Sequence, residues 1–543
     1  MNRLEAKDAG FGISALICRL FLIVALFCSS RTAIASPVIV TDQGPLRGLM
    51  VSGEKQYLGI PYAAPPVGSL RWQPPQPPAR FKGVFQATQF GQVCAQVALF
   101  PGNGPGSEDC LYLNVYVPTA TPPPHGFPVM VWIHGGAFVV GGGGQYDPTP
   151  LVEKGNVIVV TINYRLGFLG FFAHPALDAE GHLNANYGLM DQQFALGWVR
   201  RNIGRFGGDH KRVTIFGESA GGESVYLQLA SPLATGLFQG AISESGAFLL
   251  FQDYFHSIVD LKTAEEAGTA FATSIGCGDA QCLRKTPAST IVEAQPASGV
   301  AQIVDGTLLT QTLDSAFASG QLNRVPVISG SNHDEWRYFV ALNEVLSGSH
   351  LMAADYPQAV YSFLSIPGPP SGNPFADFVI SLYPLSADPT SPSIELGALG
   401  TDIAFACPGR NASLLLSAAR VPTYAYEFND KTAPSVFPPS FFPPLSFPTG
   451  DSHFVEVQYL FNLSALHITP TFTLDQQQLS NTMIGYWTQF ATTGNPNFEG
   501  APNWPAYTGA GGQFQSLVAP APGQEPDATF DVAHKCSTFW NTF

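Results

Sequence analysis

The stretch "FGESAGG" sets Ser219 between Gly217 and Gly221, a G-x-S-x-G spacing that suits a nucleophilic serine. The pentapeptide alone is weak evidence in a chain with 55 glycines, but its flanks strengthen it. The β-branched and aromatic run "RVTIF" leads in, and the helix-forming "ESVYLQLA" leads out. A serine on such a strand-to-helix turn holds its hydroxyl at the carboxyl end of a sheet, where the helix N-terminus offers N–H groups to a developing oxyanion. A second glycine-rich turn, "VWIHGGAF", puts Gly136 and Ala137 behind another strand-like run. Their N–H groups, with that of Ala220, would form a three-donor oxyanion hole. The alternative reading of each motif is a structural turn.

A third cluster, "GSNHDEW", packs His333, Asp334 and Glu335 into consecutive positions. In an extended stretch side chains alternate, so His333 and Glu335 would point one way and Asp334 the other, which argues against convergence on a metal. A catalytic imidazole must reach the serine while its other nitrogen holds an acid, and His333 is poorly placed for that if Glu335 is the acid. His453, in the small-residue loop "PTGDSH", has no such restriction. Neither a C-x₂-C pair nor an H-E-x-x-H helix occurs, so no metal or other cofactor is expected.

These motifs need a scaffold. "PVMVWIHGG", "NVIVVTINY" and "RVTIFGES" are near-continuous apolar runs of the kind found in central strands buried on both faces. Helical stretches such as "GLMDQQFALGWVRRNI" alternate with them, which predicts an α/β fold with a large, mostly parallel sheet flanked by helices. The region up to about Val117 reads as antiparallel strands, and the part beyond residue 250 as helices and proline-rich loops. No repeat or linker divides residues 36–543, which read as one domain.

Residues 1–35 read as a signal peptide: Arg19 precedes the apolar "LFLIVALF", and Ala33 and Ala35 place cleavage before Ser36. That implies a secreted or periplasmic protein with no membrane span in its mature part. Taking away this leader, with its four basic and two acidic residues, deepens the formal net charge from −15 to −17. Such an acidic chain is no nucleic-acid binder. The mature part keeps Cys94, Cys110, Cys277, Cys282, Cys407 and Cys536, an even set that favours disulfides, in any of about fifteen pairings.

The sequence resembles the type-B carboxylesterases of the α/β-hydrolase fold, a family that includes cholinesterases, liver carboxylesterases and bacterial para-nitrobenzyl esterases, and its pattern is nearest to the last and to general carboxylesterases. "FGGDHKRVTIFGESAG" and "EDCLYLNVYVP" look like the family's two signatures, and "YLGIPYAAPPVGSLRW", "NYRLGFLGFF", "SPLATGLFQGAISESG" and "TGNPNF" follow in matching order.

The resemblance implies Ser219 as nucleophile, Glu335 as acid, His453 as base, and Gly136, Ala137 and Ala220 as oxyanion-hole donors. It also implies disulfides Cys94–Cys110, Cys277–Cys282 and Cys407–Cys536, and ion pairs Arg71–Glu108 and Arg165–Asp191 that hold loops. Ser245 is either a partner near His453 or a buried structural hydroxyl. The family usually has glycine where Trp336 stands. Either the backbone there never needs positive φ, or the indole walls the pocket beside Glu335 and His453. The Cys94–Cys110 loop has no tryptophan, which disfavours choline esters. The expected substrate is a small neutral carboxylic ester. A lipase or a narrow polymer or toxin ester hydrolase is the alternative, and a non-catalytic adhesion protein, which would lack the nucleophile, is the remaining one.

Overall fold

Burial of the central strands on both faces decides the architecture. In a computed structural model, residues 34–542 are described except 52, 99–103, 184, 247–257, 297–299, 371 and 440. Most of the expected signal peptide, residues 1–33, lies outside the described residues. Twelve strands form one sheet: β1 (Ile34–Ala35), β2 (Leu49–Val51), β3 (Glu54–Pro61), β4 (Tyr112–Pro118), β5 (Phe127–Ile133), β6 (Ile158–Ile162), β7 (Gly208–Glu218), β8 (Gly240–Glu244), β9 (Val327–Asn332), β10 (Thr423–Phe428), β11 (Gln513–Leu517) and β12 (Gly523–Pro526). Their order is β1-β2-β3-β4-β6-β5-β7-β8-β9-β10-β11-β12. The first strands and the last pair run antiparallel to their neighbours, while β6 to β11 in that order are parallel.

All seven residues of β5 are buried, and they divide between two cores. Val129, Val131 and Ile133 join one core, which includes Trp198 of helix α1 (Tyr187–Asn202) and Val225 and Leu229 of α2 (Ala220–Ala230). Met130 and Trp132 join the other, which includes Met483, Ile484 and Trp487 of the 20-residue helix α6 (Leu474–Thr493). A period of two on a strand covered on both faces requires both sets to be apolar. Between these helices in the chain come α3 (Arg337–Ser347), α4 (Ser391–Thr401) and α5 (Cys407–Ala418), and the short α7 (Asp527–Ala533) lies near the end. Helix α6 begins on a capping box, in which Thr473 and Gln476 satisfy each other's backbone N–H groups. Among the described residues no helix is long and apolar enough to cross a membrane.

Three disulfides join Cys94 to Cys110, Cys277 to Cys282 and Cys407 to Cys536. Arg71 and Glu108 pair through two bonds of 2.6 Å, and two further Arg71 bonds reach the carbonyls of Leu283 and Thr286. Arg165 grips the buried Asp191 in a bidentate pair at 2.7 and 2.8 Å. Both arginines thus tie distant loops together, as the sequence reading expects.

Candidate active site

Ser219 occupies the one-residue junction between β7 and α2, with φ 57° and ψ −125°. Positive φ is costly for a residue with a Cβ, so the surroundings must enforce it. The Ser219 N–H donates to the Glu244 carbonyl at the end of β8 (2.9 Å), and its own carbonyl accepts from the Glu223 N–H (2.8 Å). The flanking glycines serve close approach rather than unusual dihedrals. A Cβ on Gly217 would meet the Ile133 carbonyl oxygen at 2.5 Å, and one on Gly221 would meet it at 2.0 Å. The elbow can therefore press against the end of β5, whose continuation carries the second glycine-rich turn.

That turn runs beside the serine. A Cβ on Gly135 would come 3.0 Å from Ser219 Cβ, and Gly136, Ala137 and Phe138 all take positive φ, at 101°, 53° and 59°. Ala220 opens α2, where the first N–H groups of a helix lack partners within it. Gly135, Gly136, Ala137, Ser219 and His453 line one cavity of about 250 Å³.

Glu335 and His453 meet directly. His453 Nδ1–H donates to Glu335 Oε2 at 2.6 Å, and the His453 N–H donates to the Glu335 carbonyl at 3.2 Å. The other carboxylate oxygen accepts from Ser245 Oγ (2.5 Å) and from the Asn332 N–H (2.7 Å). Ser245 is therefore a partner of the acid rather than of the histidine. His453 Nε2 lies 3.1 Å from Glu218 Oε1 but out of line for a hydrogen bond, which leaves that nitrogen available to the cavity. The imidazole is packed among Tyr338, Phe339 and Phe405, with ring centroids 4.9–5.9 Å away.

Glu218, Glu244 and Glu456 are buried around this pair, and sequence reasoning passed over all three. Burial, and then the neighbouring Glu335 and Glu244 carboxylates, holds the Glu218 carboxyl well above the usual range. Burial pushes Glu244 up to about 8, partly offset by the Trp487 indole N–H that donates to it at 2.9 Å. Glu218 could have been noticed, since it is the residue before the serine in the pentapeptide itself.

Two expectations about "NHDEW" need correction. The strand ends at Asn332, and residues 333–336 form a turn, so the alternation assumed for an extended stretch does not apply. His333 Nδ1 and Asp334 Oδ1 are 3.0 Å apart, while Glu335 points to His453. Trp336 has φ −70° and does not line the cavity. Its indole packs on Phe339 and Phe363, and a Cβ on Gly400 of α4 would meet it at 2.0 Å. The first of the two readings of Trp336 holds: the position needs no glycine because its φ is ordinary.

The proline- and phenylalanine-rich stretch does reach the cavity. Val436, Phe437, Pro438, Phe441 and Phe442 line it, joined by Leu466 and Ile468 from a later loop. This wall is far more apolar than the elbow side.

A parallel sheet with a strained serine between strand and helix, and an acid and a histidine on later loops, is the architecture of an α/β hydrolase. The model of the Carboxylesterase family matches residues 35–528. The chain is 33% identical to cocaine esterase of Homo sapiens, over 96% of this chain and 94% of that one, and 36% identical to para-nitrobenzyl esterase of Bacillus subtilis (strain 168), over 87% and 92%. A solved structure of a thermophilic PNB esterase superposes with a TM-score of 0.75 at 32% identity, covering 92% of this chain and 99% of that one. The chain belongs to the carboxylesterase family and is a carboxylic ester hydrolase.

Proposed function

We propose that this hydrolase acts on small, neutral, apolar carboxylic esters through a Ser219–His453–Glu335 triad and an acyl-enzyme intermediate. The observation that carries the reading is the 2.6 Å bond from His453 to the buried Glu335 carboxylate, in a ring that shares its cavity with the strained Ser219. His453 Nε2 takes the Ser219 proton as Oγ attacks the ester carbonyl, and Glu335 fixes the tautomer and stabilises the imidazolium. The N–H groups of Gly136, Ala137 and Ala220 receive the oxyanion. His453 then protonates the leaving alcohol, and water repeats the sequence to release the acid.

The cavity volume of about 250 Å³ is at the small end for ligand sites, and its wall of phenylalanine and aliphatic residues favours a short or medium apolar acyl group over a long one. A long-chain lipase is therefore the weaker alternative, and an adhesion role does not account for an intact triad. The reading places residues 36–543 as one catalytic domain, secreted after a leader is cut before Ser36. Three disulfides support an oxidising compartment.

A p-nitrophenyl ester series from acetate to palmitate, measured on wild type and Ser219→Ala, tests the proposal. We expect a kcat/KM maximum near butyrate to octanoate and a loss of at least ~10³-fold in the variant, with no labelling by an organophosphate. Equal hydrolysis by both proteins overturns the triad. A palmitate maximum overturns the substrate class alone.

A further inference from the structure

A second cluster of ligating groups includes a residue of the turn that carries Glu335, and none of its members lines the ester cavity. His333, Glu427 and His534 each bring one ligand atom to within 4.8 Å of the others. They come from three places: the turn after β9, the end of β10, and the residue that closes α7. This dispersal is why motif spacing gave no sign of them. His333 is the exposed member, with 30% of its side chain accessible, while Glu427 and His534 are buried.

The arrangement of nitrogens distinguishes the cluster from an ordinary ion-pair network. His534 Nδ1 faces Asp402 Oδ1 at 2.6 Å, and His333 Nδ1 faces Asp334 Oδ1 at 3.0 Å. A carboxylate on Nδ1 fixes the ring's orientation, the outer arrangement that metal-binding histidines ordinarily have, and at His534 an ion must also displace the proton that Nε2 donates to Glu427. His534 Nε2 already meets Glu427 Oε1 at 2.7 Å. The two rings lie 5.4 Å apart between centroids and are inclined at 60°.

Asp402 is served by Lys535 and the Tyr383 hydroxyl, and Asp334 by Arg337. Glu427 has His534 and the Asn429 amide, and among the described residues no arginine or lysine forms an ion pair with it. Glu525 lies beside Glu427, and the positive charge that faces this pair comes from His534 and Lys431.

We propose that His333, His534 and Glu427 form a three-ligand site for a divalent transition-metal ion, zinc above all, with Asp334 and Asp402 orienting the imidazoles. Two imidazoles and one carboxylate with an open fourth position suit Zn²⁺ better than the hard cations calcium and magnesium. Tetrahedral coordination draws the ligand atoms to roughly 3.3 Å from one another, so the ring of His333, on its partly exposed turn, must move inward. The ion would join the turn that carries Glu335 to the C-terminal segment. It replaces the proton shared by His534 and Glu427 and takes no part in ester chemistry.

The test uses the full-length protein after treatment with a chelator. Co²⁺ is titrated by visible absorption and Zn²⁺ by calorimetry, on wild type, His333→Ala, Glu427→Gln and a surface control, His210→Ala. The expected result is one ion per chain with a dissociation constant below about 10 μM, Co²⁺ bands of tetrahedral intensity, and a higher melting temperature with Zn²⁺. His333→Ala should weaken binding at least tenfold while its metal-free melting curve stays cooperative. His333 is partly exposed, so its loss tests the site even if Glu427→Gln does not fold. Absence of 1:1 uptake by the wild type, or equal affinity in His333→Ala and wild type, overturns the proposal.

Discussion

Ser219 shows how a single residue's backbone can be dictated by its neighbours. Nothing local favours its positive φ; the Glu244 carbonyl, the start of α2 and the close approach to Ile133 impose it. Glu335 is held by equally specific contacts, and Ser245→Ala removes one of its three side-chain hydrogen-bond donors. We expect kcat to fall about 10- to 150-fold with KM nearly unchanged, since a hydrogen bond to a charged group is worth ~1.5–3 kcal/mol; steady-state kinetics on p-nitrophenyl butyrate reads both constants. Glu244 gives a prediction in pH. Its folded pKa of about 8 lies above the ordinary 4.5, so the folded chain binds more protons than the unfolded one between those values. The wild type should therefore lose stability as pH rises from 4.5 through 8, relative to Glu244→Gln, which cannot ionise. Melting temperatures should agree near pH 5 and favour the variant at pH 9. The strand-to-helix setting of the serine motif and its two glycines was readable in sequence because it depends on neighbours in the chain, whereas Glu335 was singled out only through the family resemblance. The carboxylates Glu244 and Glu456 were not readable, because only the folded sheet brings them near Glu218 and Glu335.

At the level of elements, the central strands were legible because full burial forces unbroken apolar runs, and β5, β6 and β7 fall within the quoted stretches. The segment after β9 was not, because a turn of four polar and aromatic residues carries no periodicity of its own. There the chain leaves the strand at Asn332 and enters α3 at Arg337, with Trp336 as the N-cap residue. The Trp336 N–H donates to Thr401 Oγ1 at 3.0 Å, and its indole fills the junction of α3 and α4. Trp336→Gly should cost ~2–4 kcal/mol through the void and the added chain freedom, seen as a lower melting temperature. The acyl-length profile should stay as in the wild type, because the indole is not part of the cavity wall. Its neighbours in sequence, Tyr338 and Phe339, do line the cavity, and one turn of α3 thus divides structural from substrate-facing aromatics.

Across the whole molecule, the disulfides differ in reach. Cys277–Cys282 spans 5 residues, whereas Cys407–Cys536 spans 129 and ties α5 to the C-terminal segment. In a chain-entropy account the long loop contributes ~4–5 kcal/mol and the short one about half as much. Replacing both Cys407 and Cys536 by alanine should lower the melting temperature more than replacing Cys277 and Cys282, a comparison calorimetry can make directly. The cavity itself divides along another line. Ser219, Gly135 to Ala137 and Glu335 follow just beyond strand ends of the sheet, while Val436, Phe437, Pro438, Phe441, Phe442, Leu466 and Ile468 belong to segments outside it. Under the proposed function, a substitution in the outer segments would change the fit of the ester and leave the strand-end groups in place, so acceptance and chemistry can be altered separately.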